Sequence, residues 1–586
     1  MDKEKQLFSQ IQEIVGGYNT KEVDLADGLK HNLYQTLRTI EFYSNSRYLN
    51  GQKDTLGREK PFNNINTFRV NVAYRATDLD LKDIQIVADD ITDRGNLLKA
   101  TILSKEAYKW GKENGLSEFL NDFAYTRPKY GSVIVKKVVE IEEDGSEELE
   151  LEVCAWQNMV IDPTNFEDGI IVERHFLKRH ELAEKKDVWD NVEELLNKTK
   201  KQKEDIEVLE VHGYFPESSD PDASGNDDTV FNRKMFMIGV VNGKPAFILH
   251  SEDEDELPYR KLDWRKQDKR SLGVGVTEDG FEAQVWTNDS MIAEKNAMDL
   301  AGKVVIKTNS KKLGNNILEV DNGNVFYLED GKDATVMNLL PSALPKYSEL
   351  IQRWDSQYER VSSTFNAITG EQMPSGTPYR QTAILNQEAG SLFDQRREEA
   401  GIFISEIYMD WILPFLIKKL NKEHILTSEW SMEELEMIDD AFSTHKVNQT
   451  VIDMIINGEE VDNDIYNELV EAEKAVAQKQ KNIRSIPVPK DYFKDFKCSV
   501  SVIITNEMRN KGAILESLSN ILAQVGTNPA VLQDPVLSKV FSAIIEVSGV
   551  PISPVSLLSA QAKQISQAQM QQPVQQVQPA QPTVTQ

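Results

Sequence analysis

The sequence predicts an α+β fold that is predominantly helical and combines long helices with small β units. Three observations support this prediction. Apolar residues recur at three- and four-residue steps over long stretches, as amphipathic helices require. Asp-Gly and Asn-Gly pairs separate short alternating runs, which is typical of β-hairpins. The composition, 40% hydrophobic and 27% charged residues, is that of a folded protein.

The first hundred residues are predicted to be mainly helical. Leu29, Leu33, Leu37 and Ile40 mark one helix face, and a polar turn over 45–57 ends that helix. A second helix is expected over Leu103–Tyr125. It should stop before Arg127-Pro128, because a residue that precedes proline avoids the helical conformation.

Two hairpins and a charged helix follow. The hairpins are centred on Asp144-Gly145 and Asn242-Gly243, and the helix between them is rich in Lys and Glu, so we expect it to lie in solvent. The predicted bounds are strands Val133–Glu143, Glu147–Gln157, Lys234–Val241 and Lys244–His250, and helix Glu181–Lys203.

The central segment is predicted as a helix, a small β unit and a second helix. The first helix covers Thr277–Ala301, and strands are expected at Lys303–Thr308, Ile317–Asp321 and Asn324–Glu329. The second helix, Pro345–Ile368, has apolar residues at alternating steps of four and three, the pattern of shallow-angle helix packing. This seam consists of Tyr347, Ile351, Trp354, Tyr358, Val361, Phe365 and Ile368.

A loop rich in Pro and Gly, Thr369–Tyr379, separates this helix from a longer one. An ordinary helix connection and a mobile loop that faces a ligand explain its composition equally well. Thr377-Pro378 then reads as a helix start, and the pattern continues to Leu420, with a kink expected at Pro414.

The C-terminal part is again predicted to be helical, with one strand. The expected helices are Trp430–Ala441, Asn448–Gln478, Lys511–Val525 and a last one from Asp534-Pro535 to about Gly549, and the strand is Lys497–Thr505. The Gln- and Pro-rich tail over 556–586 cannot build a core and is expected to be disordered.

Charge and composition narrow the functional classes. The formal charge is −29 and the pI about 4.8, whereas a groove that grips nucleic acid is normally basic. Cys154 and Cys498 lie in apolar, strand-like runs and are expected to be inert buried thiols. The sequence shows no secretory signal, and Asp410 and Pro414 interrupt its most apolar run, so we expect no membrane span.

Motifs for catalysis are weak throughout. Gly239–Pro245 misses the phosphate-loop spacing and is better explained as a hairpin, and Gly273-Val-Gly275 is better explained as a flexible approach to a helix. Asp78, Asp80 and Asp83 could bind a cation, although a solvated turn explains them better. A basic patch around His175 and His180 could touch DNA or a partner, although a solvated surface explains it better. We expect no catalytic residue, cofactor or metal.

Several stretches resemble the portal proteins of tailed bacteriophages, which form the ring through which viral DNA is packaged. They are RYLNGQ followed by NNINTFRVNVAYRATDLDLKDIQI, then LPYRKLDW leading to SLGVGVTEDGFEAQVWTNDSMIAEKNAM, and KDFKCSVSVIITNEMRNKGAILESLSNIL. In the second stretch a Gln and an Asn recur one helical turn apart, here Gln284 and Asn288. The resemblance covers most of Tyr34–Val555 and rests on the order of the motifs, since each alone is weak.

The resemblance implies a division of the chain. The parts would be a wing at 1–276 with a charged insertion near 187–228, stem helices at 277–301 and 341–368, a clip at 302–340, a tunnel loop at 369–377, a long wing helix at 378–420, a crown at 421–555 and the tail at 556–586. The insertion matches no portal segment that we can place.

The resemblance also implies function and partners. Such a protein forms a ring of twelve at one capsid vertex, passes double-stranded DNA during genome packaging and ejection, and contacts the major capsid protein, the terminase motor and tail or head-completion proteins. It would reside in the virion and, during assembly, in the host cytoplasm. Candidate DNA-channel and tunnel-loop residues are Met373, Pro374, Tyr379, Arg380, Lys295, Lys303, Lys346, Arg353 and Arg360.

Two further interpretations stay open. Within the structural class, the chain could be another head–tail connector or adaptor ring, although these are generally shorter. A metal-dependent nuclease is the interpretation from another class, and it would rest on Asp78, Asp80 and Asp83. The seam residues Tyr347, Ile351, Trp354, Tyr358, Val361 and Phe365 are candidates for contacts between subunits.

Overall fold

The computed structural model describes sixteen stretches of the chain. They are 2–44, 65–90, 94–141, 147–200, 205–216, 231–301, 305–309, 334–337, 344–364, 379–420, 424–426, 432–458, 461–478, 485–489, 492–494 and 496–502. The structure is 57% helical and 23% strand, which confirms the predicted mixed class with a majority of helix.

The helices, numbered in chain order, account for most of the described residues. They are α1 Asp2–Thr20, α2 Leu33–Ser44, α3 Ile65–Thr77, α4 Arg94–Glu113, α5 Leu116–Tyr130, α6 Arg179–Glu184, α7 Val192–Lys198, α8 Val276–Asp279, α9 Phe281–Ala301, α10 Leu344–Ser362, α11 Tyr379–Ile407, α12 Leu413–Leu420, α13 Met432–Ile456 and α14 Asn463–Gln478.

The strands form small, open sheets. They are β1 Glu22–Ala26, β2 Leu29–Asn32, β3 Ile84–Ala88, β4 Ser132–Ile141, β5 Glu147–Val153, β6 Met159–Val160, β7 Ile171–Leu177, β8 Ile206–Pro216, β9 Phe231–Val241, β10 Lys244–Asp253, β11 Tyr259–Asp263, β12 Val305–Thr308, β13 Ala334–Met337, β14 His424–Leu426, β15 Ser485–Pro487 and β16 Cys498–Val502. The larger sheets have the strand orders β10-β9-β8-β7-β6 and β11-β4-β5, and the two-stranded pairs are β1-β2, β12-β13, β14-β15 and β3-β16.

The chain divides into two compact units. The first consists of Met1–Asp78, Asn121–Val138 and Leu151–Arg396, and the second of Leu79–Leu120, Val139–Glu150 and Arg397–Gln586. In the second unit, β16 pairs antiparallel with β3, and α13 packs on α14. The strand predicted at Lys497–Thr505 is thus present over its described part.

The five-stranded sheet builds much of the core of the first unit. Its strands are antiparallel throughout, and the predicted hairpin at Asn242-Gly243 is confirmed, with left-handed φ values of 53° and 73° at the turn. The middle strand of this sheet is β8, which lies inside the charged insertion near 187–228. That insertion therefore supplies the centre of a sheet.

The prediction of a single charged helix over Glu181–Lys203 is wrong. The structure has the short helices α6 and α7, with a 3₁₀ turn at Lys185–Asp187 between them. Leu182, Val192 and Leu195 are buried in one apolar cluster with residues of the sheet, so these helices are not fully solvated. The many charged residues of this segment obscured the three apolar residues that pack on the sheet.

The predicted helix Leu103–Tyr125 is also misplaced. Two helices, α4 and α5, meet at Gly115, whose φ of 65° breaks the helical path, and α5 continues through Pro128 to Tyr130. Arg127 stabilises this extension, because its buried guanidinium donates hydrogen bonds to the carbonyls of Asp263 and Arg396. Tertiary contacts here outweigh the local effect of proline.

Other boundaries shift by a few residues. α10 ends at Ser362, earlier than the predicted Ile368, and Ser363 has a left-handed φ of 58°. α13 runs through 442–447 to Ile456 and breaks near Gly458, whose φ is 86°. The strands at 317–321 and 324–329, the helices after Lys511 and the tail lie outside the described residues.

The long helix is present from Tyr379 to Leu420. A π-helical turn at Tyr408–Ile412 joins α11 to α12 directly before Pro414, which is how the helix accommodates the missing amide. Leu392–Leu420 is long and apolar enough to cross a membrane by composition alone, but 56% of its most apolar window is buried inside the fold. Phe415, for example, packs near Trp110, as in a core helix.

Candidate functional site: a helical hairpin

The central segment folds as two paired helices joined by a β unit. The predicted Thr277–Ala301 helix is divided at Gly280 into α8 and α9, and α9 packs along α10. Between the two helices in the chain, β12 and β13 pair antiparallel from Val305↔Met337 to Thr308↔Ala334. We call α9 and α10 the helical hairpin, and its end at Gly280 the root.

Aromatic side chains fix how the two helices sit against each other. The indoles of Trp286 and Trp354 stack with ring centroids 5.8 Å apart and planes within 4°. Farther from the root, Ser348 Oγ donates a hydrogen bond of 2.9 Å to Glu294 Oε1. At the root, the ring of Tyr358 fills the space beside Gly280, where an added Cβ would overlap it.

Tyr358 is fully buried and joins the hairpin to α3. Its hydroxyl donates a 2.6 Å hydrogen bond to Asn66 Oδ1, and Asn66 Nδ2 donates in turn to the carbonyl of Tyr43. Burial raises the pKa of the Tyr358 hydroxyl above its usual value, so the group stays protonated and able to donate. Val70, Ala73 and six other buried residues complete an apolar cluster at the root.

Gln284 provides a second link to the same helix. Its Oε1 accepts hydrogen bonds from the backbone amides of Ile65 and Asn66, at 2.9 and 3.1 Å, and its side chain is fully buried. These amides belong to the first turn of α3, which has no partners within the helix. A glutamine in α9 therefore caps α3, which gives a structural reason for one of the two polar residues highlighted by the resemblance.

Arg69, one turn after Asn66 on α3, also binds the hairpin. Its buried guanidinium lies 2.7 Å from Asp355 Oδ1 and 3.2 Å from Glu359 Oε1, and it donates a 2.7 Å hydrogen bond to the carbonyl of Thr364. The last contact lies just beyond the end of α10. Three sets of contacts therefore hold the hairpin on α3. They are the hydrogen bond of Tyr358, the cap formed by Gln284 and the ion pairs of Arg69.

The glycines before α8 have a packing role. Gly273 and Gly275 lie against the backbone of Gly131, and a Cβ on any of the three would collide with backbone atoms of the others. Arg270 secures this contact by donating to the carbonyls of Leu272 and Gly273 and pairing with Glu278. The expectation of a flexible approach to the helix is therefore wrong, because close packing is what requires these glycines.

A cavity of about 370 Å³ lies beside the root, between β2 and α2 on one side and α8 and the start of α9 on the other. His31 lies in its wall, and burial, followed by the charge of Arg270, lowers its pKa to about 4. The imidazole is therefore neutral near pH 7 and bonds through Nε2 to Thr36 Oγ1 at 3.1 Å.

The outer surfaces of the hairpin carry both apolar and charged groups. Trp286 and Met298 are about half exposed, at 52% and 51%. The other large exposed apolar side chains on the two helices are Phe281, Met291, Leu350 and Val361. Surfaces of this kind are common at protein–protein contacts.

The sequence-predicted residues divide into three groups. Lys295, Lys346, Arg353 and Arg360 are all exposed on the hairpin. Trp354 and Tyr358 of the seam are used within the chain, Tyr347 and Ile351 are half-buried, and Val361 is exposed. Lys303, Phe365, Ile368, Met373 and Pro374 lie outside the described residues, and the structure describes only the backbone of Tyr379 and Arg380.

A buried charge cluster was missed by the sequence reasoning. Lys136 Nζ on β4 lies 2.9 Å from Glu173 Oε2 and 2.6 Å from Glu210 Oε2, which sit on the paired strands β7 and β8. His212 bridges Glu210 and Glu254 at 2.9 and 2.8 Å, His175 contacts Glu210 at 2.7 Å, and the Tyr259 hydroxyl donates to Glu173 at 2.7 Å. Two Glu-x-His patterns on adjacent strands were the available signal.

The charges in this cluster stabilise one another. Burial alone would lower the pKa values of Lys136 and His212, but the glutamates outweigh it and raise both. Burial alone would raise the pKa of Glu210, but hydrogen bonds from His175 and His212 and the charge of Lys136 hold it far below its usual range. Lys136 and Glu210 therefore stay ionised near neutral pH.

Glu173, His175 and Glu210 could in principle hold a metal, because their ligand atoms lie within 4.8 Å of one another. The ammonium of Lys136 already lies between the two carboxylates and satisfies them. A metal would have to displace a buried cation with which both glutamates pair. We therefore interpret the cluster as an internal ion-pair network.

Other sequence candidates have local structural roles. Asp80 and Asp83 cap a short 3₁₀ turn reciprocally, Asp80 accepting from the Lys82 amide and Asp83 from that of Asp80. In the basic patch, Arg179 donates to the carbonyls of Leu196 and Thr199, and Arg174 pairs with Glu207. Cys154 is buried, and burial raises the pKa of its thiol and of the half-buried Cys498 thiol.

Comparison with protein-family models gives no match, and comparison with curated proteins gives none either.

Proposed function

We propose that this protein is a portal-type subunit: twelve copies form a ring at one capsid vertex, through which double-stranded DNA is packaged and ejected. The helical hairpin with a β pair at its far end carries the proposal. On this interpretation α9 and α10 form the stem, β12 and β13 belong to the clip, and the finer division into wing, tunnel loop and crown follows the sequence boundaries given above.

Two features of the hairpin support assembly with further copies. Its helices contact each other along a narrow aromatic seam, and their outer sides leave large apolar groups such as Trp286 and Met298 half exposed. Within the described residues the β12–β13 unit has two strands, which is below the size at which an isolated sheet is stable in water. Both features are incomplete in one chain and would be completed by neighbours.

The contacts at the root support the proposal that the hairpin withstands mechanical force. Asn66, Arg69 and Gln284 connect it to α3 through buried hydrogen bonds and ion pairs, which few exposed surface helices require. The net charge of −29 per chain suits a channel along which DNA slides, because it opposes tight binding of phosphates. The capsid, motor and tail partners would bind surfaces other than this channel.

The test is the mass and shape of the purified full-length protein. Twelve copies of 66.6 kDa give about 0.8 MDa, which mass photometry resolves easily from a monomer. We expect a closed ring with a central hole in negative-stain images. A chain that stays monomeric at all concentrations and salt conditions would contradict the proposal, and metal-dependent cleavage of DNA would favour the nuclease instead.

A further inference from the structure

The helical hairpin bears two lines of opposite charge, one on each helix. On α10, Lys346, Arg353 and Arg360 are exposed and follow one another at seven-residue steps. On α9, Glu282 and Asp289 are exposed and also seven residues apart. Because seven residues are close to two helical turns, each set forms a line along its helix. We call them the basic line and the acidic line.

These charges form no ion pair within the described part of the chain, although Asp289 lies close enough to Tyr43 to help burial raise the pKa of that hydroxyl. Neither Arg353 nor Arg360 forms an ion pair with a described residue, and the same holds for Glu282 and Asp289. Glu349 lies one turn from both Lys346 and Arg353 and pairs with neither. The arginines of the root behave differently, since Arg69 and Arg270 are each paired with carboxylates of the same unit.

The two lines are matched in height along the hairpin. The contacts of Trp354 with Trp286 and of Ser348 with Glu294 fix the antiparallel register of the helices. In that register Arg353 lies within two residues of the level of Asp289, and Arg360 within two residues of the level of Glu282. Two residues correspond to roughly 3 Å along a helix. Acids and bases therefore lie at corresponding heights without meeting in one chain.

We propose that the acidic line of one copy pairs with the basic line of the next, so that adjacent hairpins are joined by a charge-matched, head-to-tail contact. This inference rests on the proposed ring, in which every subunit offers α9 to one neighbour and α10 to the other. It assigns Arg353 and Arg360 to a neighbouring subunit instead of DNA. A second copy suits these bases better than DNA because it brings acids at the same spacing.

The experiment uses two complementary full-length variants. The first carries Arg353→Glu and Arg360→Glu, and the second carries Glu282→Lys and Asp289→Lys. Each variant alone places like charges at every contact. Because exposed charge pairs contribute about 0.2–1 kcal/mol each, we expect the concentration at half-assembly to rise roughly three- to tenfold, more strongly at low salt. Mass photometry measures this concentration.

Mixing the two variants is the decisive step. In an equal mixture, alternating subunits meet acid with base at every contact, so rings should recover to the wild-type level with both variants present in equal amounts. Native mass spectrometry of differently tagged chains reads this composition. The matched control is Lys112→Glu, a reversal at an exposed residue of α4 outside both lines, which should leave assembly unchanged.

The outcomes separate this inference from the ring itself. If the wild-type chain forms no ring, the proposed function fails. If rings form and neither double reversal disturbs them, or if the mixture does not recover, the charge pairing is wrong while the ring stands. If the Arg353 and Arg360 reversals leave assembly intact and instead weaken retention of double-stranded DNA, these bases are DNA contacts and the inference is overturned. Thermal unfolding of each variant monomer checks that the hairpin still folds.

Discussion

Gln284 Oε1 lies 3.1 Å from the backbone nitrogen of Asn66, a residue 218 positions earlier in the chain. A side chain in the stem-like helix α9 thus completes the first turn of α3. The capping residue is usually local to the helix that it caps. Here it is supplied by the hairpin, which ties the stability of α3 to the position of α9.

Replacing Gln284 by Ala should destabilise the protein by about 1–3 kcal/mol, because two buried amides lose their acceptor. Gln284→Glu keeps the acceptor and adds a negative charge at a helix N-terminus, so its effect should be much smaller. Urea denaturation of both variants measures the difference. Equal losses for Ala and Glu would argue that the contact is not a cap.

Gly280→Ala should destabilise the root by about 1–3 kcal/mol, since the added methyl group would overlap the ring of Tyr358. The matched control is Gly17→Ala in α1, where an added Cβ meets open space. That change should stabilise by about 0.5–1 kcal/mol, because Ala is favoured over Gly inside a helix. Thermal melts of the two variants should therefore shift in opposite directions.

Lys136→Met should cost about 3–5 kcal/mol, because Glu173 and Glu210 would lose the cation that lies between them. Adding Glu173→Gln to this variant restores the original net charge and should recover part of the loss. The measurement is the free energy of unfolding by urea. A Lys136→Met variant as stable as the wild type would show that the cluster is hydrated and not buried.

The stability contribution of His212 should depend on pH. Its pKa is raised in the folded chain above the reference value of 6.5, because Glu210 and Glu254 outweigh the effect of burial. Its contribution is therefore complete below about pH 6.5 and is lost as the pH rises through the folded value. The difference in unfolding free energy between the wild type and His212→Gln should shrink as the pH rises above about 6.5.

The stability contribution of Glu210 depends on pH in the acidic range. Its folded pKa lies below the reference value of 4.5, so its contribution is present above that value and lost as the pH falls. Acid unfolding should start at a lower pH in the wild type than in Lys136→Met, in which Glu210 has lost part of its stabilisation. Circular dichroism during an acid titration measures the midpoint, and identical midpoints would contradict the explanation.

Sequence reasoning identified several local elements from a periodic or turn signal, although Leu29, predicted on a helix face, lies in β2. The Asn242-Gly243 hairpin and the two hairpin helices follow from such signals, and so does the long helix over its described part. It misplaced boundaries where distant contacts decide them. α5 passes Pro128 because Arg127 reaches Asp263 and Arg396, and no pattern near Pro128 carries that information.

The candidate site was predictable in outline and not in its contacts. The spacing of Trp354 and Tyr358 indicated a packed seam. Their partners Trp286 and Gly280 are known only once α9 and α10 are packed side by side in the observed register. The buried cluster around Lys136 was missed because a charged side chain in a strand normally points to solvent. The charges come together only because β7 pairs with β8 and Lys136, on a strand of the other sheet, contacts a glutamate of each.

The position of β8 limits how this protein could be shortened. Excising the stretch near 187–228 as a dispensable insert would remove the strand between β7 and β9 and leave each of them with a bare row of unpaired amides and carbonyls. Exposed strand edges of this kind invite pairing with other chains. Such a truncation would replace a folded protein with one that aggregates, so any shortened variant of this protein must keep β8.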